Sequence, residues 1–171
     1  MFKSLRLLAP VALALTLSAC AGGAQRLDAA GDVHTLLTAI RDGDQATFDR
    51  HVDRPALRRQ IEARIAAEAS RAGGSDEMRA IGALLGPAIA KAASEQLVQP
   101  QVFRGVAEYY GYDPAQPLPG RVAIAGSLRA LEDGRVCATR EKDGPCLLVF
   151  TETDGIWRLS GFEGDIDMLR R

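Results

Sequence analysis

Two histidines, three cysteines, a crowd of aspartates and a few serines are the side chains here whose types could carry chemistry. His51 lies between Asp49 and Asp53, which invites a metal or an acid–base reading. A zinc site would want a second histidine at i+4, or cysteines paired at short spacing, and neither is present. His34 and His51 therefore read as surface histidines. Asp42, Asp44, Asp49 and Asp53 share one short stretch, but a calcium loop needs glycine at its sixth position and glutamate at its twelfth. Counted from Asp42, the glycine is second and the twelfth residue is Asp53, so helix capping explains these aspartates better. Ser127 and Ser160 lack a G-x-S-x-G setting. Gly73-Gly74-Ser75 lacks the lysine and the preceding strand of a phosphate loop. No catalytic residue, metal or cofactor is expected, and the chain reads as a non-enzyme.

Cys20 is different, because its neighbours define a chemistry. The first residues carry Lys3 and Arg6 and no acid, and a short apolar run follows from Leu7 to Leu17. That run is shorter than the ~20 residues a bilayer span requires. A basic start, a short apolar core and then small residues is the pattern of a secretory signal peptide, here residues 1–19. Leu17-Ser18-Ala19-Cys20 resembles the lipobox of bacterial lipoproteins. The resemblance implies a diacylglycerol on the Cys20 thiol, cleavage just before it and acylation of the new amino terminus. One acyl chain holds a protein only marginally, so two or three on one residue make the durable anchor. Ala21 rather than aspartate after the cysteine implies, by the same resemblance, sorting to the outer membrane. Ala21-Gly22-Gly23-Ala24-Gln25 has the composition of a flexible tether, expected over residues 20–31. The expected location is the cell envelope, lipid-anchored, with the domain in the periplasm.

Composition agrees with an exported globular domain: 25% charged and 47% apolar residues are ordinary for a folded protein. Removing residues 1–19 leaves 19 basic against 22 acidic residues, a net charge of −3. That balance gives no reason to expect nucleic acid as a partner. The membrane, through the lipid on Cys20, and an envelope protein are the partners expected.

The elements that position these residues fall into a helical half and a strand half of one domain, residues 32–111 and 121–163, with 164–171 as a tail. A first helix is expected from Asp32 to Arg41, with Val33, Leu36, Leu37 and Ile40 at helical spacing. Gly43 ends it and Asp44 caps the next. Asp53-Arg54-Pro55 opens a third helix, whose stripe is Leu57, Ile61 and Ile65. A fourth runs from after Ser75 to Leu97, with Gly86-Pro87 expected to kink or split it. Its apolar part, Ile81 to Ala90, reads as a buried core helix. Pro100 begins a fifth. After Gly120 the period changes to two, and Val122, Ile124, Leu128 and Ala130 read as the inward face of a first strand. Asp133-Gly134 and Asp154-Gly155 are hairpin signals. The whole is an α+β domain, N-terminal helices packed on one face of a C-terminal four-stranded antiparallel meander.

The stretch from Leu36 to Ile65 resembles the bacterial family called domain of unknown function 2939. Gly43-Asp44 and Val52-Asp53-Arg54-Pro55-Ala56-Leu57-Arg58 carry the likeness, followed in order by Ile81 to Ile89, Pro100 to Tyr110, and Trp157. The resemblance spans Val33 to Gly161 and implies no activity. Without a catalytic constellation, the chain reads as a tethered binding or assembly module. The alternative is a binder of a small apolar ligand or lipid, in a helix–sheet cleft lined by Tyr109, Tyr110, Phe150 and Trp157.

The last two cysteines follow from strand register. A two-residue loop at Asp133-Gly134 pairs Glu132 with Arg135 and places Ala130 opposite Cys137. A two-residue loop at Asp154-Gly155 pairs Thr153 with Ile156, Glu152 with Trp157 and Phe150 with Leu159. Alternation then puts Cys137 and Cys146 on the face toward the helices. If the Glu141–Pro145 turn lets them sit opposite each other, their Cα atoms come within disulfide reach. Export favours the bond, expected as a structural clamp without redox cycling.

Overall fold

A sheet that is apolar on one face must be covered, and here the helices cover it. The computed structural model of the protein describes residues 8–71, 76–109, 111–141 and 144–163. Helices α1 (Leu8–Asp42), α2 (Gln45–Arg50), α3 (Arg54–Arg71), α4 (Asp76–Leu97), α5 (Pro100–Tyr109) and α6 (Arg121–Gly126) precede strands β1 (Leu128–Ala130), β2 (Val136–Thr139), β3 (Cys146–Thr153) and β4 (Ile156–Phe162). The strands form one antiparallel sheet in the order β1-β2-β3-β4. The expected α+β architecture is the one observed.

The core lies between α1 and the sheet. Ala29, Val33, Leu36 and Ala39 recur at helical spacing on α1 and meet Val136, Phe150, Trp157 and Leu159. Gly43 turns the chain at φ 71°, a conformation that favours glycine, and the Asp44 carboxylate accepts from the Thr47 N–H at 3.1 Å. Phe48 of α2 is fully buried and meets Phe103 of α5 edge to face. Residues 51–53 then run along β4: Leu159 N–H donates to the His51 carbonyl at 2.8 Å, and Asp53 N–H donates to the Leu159 carbonyl at 2.9 Å. This pairing covers an otherwise open sheet edge. Asp53 caps α3 by accepting from Ala56 N–H at 2.9 Å.

Four local expectations are corrected. The segment read as a flexible tether is helical, because α1 is continuous from Leu8 rather than starting at Asp32. Its small residues serve close approach: Ala29 and Ala30 are fully buried, and a Cβ on Gly31 would stand 2.9 Å from the Arg121 guanidinium. Gln25 Nε2 donates to the Gly134 carbonyl at 2.7 Å, so residues 22–31 belong to the fold. Second, Arg121–Gly126 is helix α6, not strand. Ile124 and Ala125 are its buried residues, and a short apolar run fits either period.

Third, the β1–β2 register is shifted by one. Gly134 N–H bonds the Leu131 carbonyl, Leu131 N–H bonds the Arg135 carbonyl, and Gly134 has φ 82°. This is a three-residue loop with a left-handed glycine. Arg129 therefore faces Cys137, and Ala130 faces Val136. A one-residue slip turns a strand over, so Val136 enters the helix-side core while Cys137 points to the other face. Fourth, a bulge in the β2–β3 ladder pairs Ala138 with Leu148 but Thr139 with Cys146. Cys146 is thereby turned to the outer face too. The β3–β4 register is as expected: Thr153 with Ile156, Glu152 with Trp157 and Phe150 with Leu159.

Candidate functional site

Asp28, Asp32, His51 and Trp157 meet where α1 crosses β4. Asp28 and Asp32 are one helical turn apart on α1 and so present their carboxylates to the same side. Trp157 Nε1 donates to Asp28 Oδ2 at 2.9 Å, and Trp157 backbone N–H donates to Asp32 Oδ2 at 2.8 Å. His51 Nε2 stands 3.4 Å from Asp32 Oδ1. His51 Nδ1 lies 2.9 Å from the Thr47 carbonyl, which can only accept, so this nitrogen carries a hydrogen. His51 is buried rather than on the surface as expected, because it follows α2 directly into the pairing with β4. His34 is half-buried.

A histidine beside an aspartate could serve as a general base, but that role needs one ring nitrogen free to face a nucleophile. Here Nδ1 bonds the Thr47 carbonyl and Nε2 faces the Asp32 carboxylate in a buried setting, so neither ring nitrogen is directed at an open site. The cluster ties α1, α2 and β4 together. Among the described residues, no group of three His, Cys, Asp or Glu side chains is placed to hold a metal ion.

The aspartates divide between caps and ion pairs. Asp44 and Asp53 cap helices, Asp42 pairs with Arg41 at 2.7 Å, and Asp49 accepts from Arg54 Nε at 2.8 Å. The Arg41 guanidinium holds the Asp42 carboxyl below its ordinary range, and Arg135 does the same for Asp133. Hydrogen bonds from Thr47 hold Asp44 low.

Of the residues read as a cleft, Phe150 and Trp157 are buried in the core. Tyr109 is 72% exposed at the end of α5, so it does not line the space those two fill. Tyr110 lies outside the described residues, as does the side chain of Cys20. Cys137 and Cys146 form a disulfide with Cα atoms 5.5 Å apart. It lies in a second small core with Val149 and Leu131, on the sheet face away from α1. Arg129 lies beside it, donating to the Gly144 carbonyl at 3.2 Å and reaching Cys146 Sγ at 3.2 Å.

The feature that sequence reasoning placed wrongly is α4. Read as a buried core helix, it packs chiefly along α3. Leu84 is 80% exposed, Ile89 59% and Ile81 56%, with Leu85 and Leu97 also exposed. Pro87 sits inside the helix, which is continuous through it. Ile65 of α3 is exposed as well, so the α3 stripe that starts at buried Leu57 runs out of core toward the hairpin tip. One signal was available. Ile81, Leu85 and Ile89 recur every four residues, and the helices that follow have only 10 and 6 residues with which to cover them. No described helix is long and apolar enough to cross a membrane.

No curated protein and no solved structure matches the chain. The family match covers residues 13–106, which takes in most of α1 through most of α5 and stops before the sheet, so Trp157 lies outside it. On that match, which spans more than half of the sequence, the chain belongs to the family described as Protein of unknown function (DUF2939).

Proposed function

We propose that the protein is a non-catalytic module of the bacterial cell envelope, anchored by lipid on Cys20 in the outer membrane, that binds a protein through the apolar face of α4. The observation that carries the binding role is the 22-residue helix with Ile81, Leu84, Leu85 and Ile89 exposed along it. Fully burying one such side chain is worth about 1.5–3 kcal/mol. A face that leaves four of them in water is the kind that marks an interaction site. The partner chemistry that fits is an apolar helix or sheet face. The anchoring role rests on Leu17-Ser18-Ala19-Cys20. The burial of His51 between the Thr47 carbonyl and Asp32 supports the non-catalytic reading.

A photo-crosslinking residue in place of Leu84, compared with one at exposed Arg50 on α2, tests the binding role in intact cells. A discrete adduct from position 84 and none from position 50 is expected. Equal adducts from both, or none from either, would overturn it.

A further inference from the structure

We infer that the domain sits directly on the bilayer, with the end of the sheet that carries the Asp133-Gly134 and Asp154-Gly155 turns against the lipid headgroups and the α3–α4 hairpin at the far end. This rests on the lipid anchor at Cys20. The expected tether would have let the domain tumble freely above the membrane, but the structure leaves no room for it. Packing is already in place at Gly22, where a Cβ would stand 3.8 Å from that of Ala130. One turn on, Gln25 is bonded to the Gly134 carbonyl at 2.7 Å. Only Ala21 separates Cys20 from Gly22, and the two residue steps reach at most about 7 Å if extended and about 3 Å as helix. The lipidated residue is thus fixed beside the β1–β2 loop.

In an antiparallel meander the first and third turns lie at one end, so Asp154-Gly155 shares that end. Leu27, an exposed apolar residue, follows Gln25 by two residues on α1 and so lies near this end. At the other end of β4, roughly 20 Å away along the strand, Phe162 N–H donates to Gln60 Oε1 at 3.0 Å, and Arg64 Nη2 donates to the Phe162 carbonyl at 2.9 Å. Helix α3 leaves the sheet there, carrying α4 with it. The occupant of the turn end is therefore the bilayer that holds the Cys20 lipid, and the apolar face of α4 is held out of its reach.

The test uses the full chain, exported, lipidated and reconstituted into phosphatidylethanolamine–phosphatidylglycerol vesicles. With Cys20 lipidated and Cys137 bonded to Cys146, a single introduced cysteine is the one free thiol. A bimane probe is placed at Glu132→Cys or at Leu84→Cys, both exposed positions, and the vesicles carry headgroup-nitroxide lipids. Several-fold stronger quenching at position 132 than at position 84 is expected. A flexible spacer of about 12 residues after Ala21, which extends the reach to about 20 Å, should abolish the difference. Equal quenching without the spacer, or stronger quenching at position 84, in protein that floats with the vesicles overturns the seating alone. Protein that does not float and lacks the lipid mass overturns the anchor and the seating together.

Discussion

Asp32 holds two elements at once, accepting from the Trp157 backbone N–H and facing His51 Nε2. Its removal strands the buried Trp157 backbone N–H, and a stranded donor costs about 1–3 kcal/mol. Asp32→Ala should therefore lower unfolding free energy by about 1–3 kcal/mol in urea titration. Asp28→Ala should cost about 1 kcal/mol, since Asp28 is exposed and water can replace it as acceptor for Trp157 Nε1. Equal and negligible losses would mean that the cluster does not clamp α1. Asp44 makes a pH-dependent case. Its carboxyl is held below its ordinary 3.8 by hydrogen bonds, chiefly from Thr47. A lowered folded value gives stability that is present above 3.8 and lost as pH falls below it. Asp44→Ala should lower the melting temperature at neutral pH, and the difference from the parent should vanish in acid.

At the scale of elements, the disulfide closes a hairpin of nine residues' separation. Reducing it should cost about 2–3 kcal/mol, read from denaturation with and without reductant. Neither Cys137 nor Cys146 should be alkylated before reduction. The bond was legible in the sequence although its face was not. The loop at Glu132–Gly134 turned Cys137 over and the bulge turned Cys146 over, so two one-residue slips left the pair together. The Asp154-Gly155 turn was read correctly because both its residues have positive φ, as a two-residue primed turn requires. Asp133-Gly134 uses its glycine in a longer loop, and a dipeptide alone does not distinguish the two. The start of α1 was illegible because small residues suit a tether and close helix packing equally. The exposure of α4 was only half legible, because apolar content marks a stripe without saying what covers it, and only the shortness of the helices that follow points to a lack of cover. Leu84→Glu should leave stability within about 0.5 kcal/mol, since nothing buried is lost, and should abolish the crosslinked adduct.

For the whole molecule, these elements give a body with two ends. One end carries Gly22 and the two Asp-Gly turns, and the other carries α3 and α4. The proposed anchor at Cys20 would give the two ends different surroundings, lipid at one and solvent or a protein at the other. Anchoring at Cys20 requires cleavage within α1, whereas the uncleaved chain keeps α1 unbroken from Leu8 to Asp42. Intact mass of the chain extracted from native membranes decides between them. The expected chain begins at Cys20, is heavier by a diacylglyceryl group and an amino-terminal acyl chain, and lacks that mass in Cys20→Ser. A membrane-extracted chain that still carries residues 1–19 and no lipid would contradict the anchor.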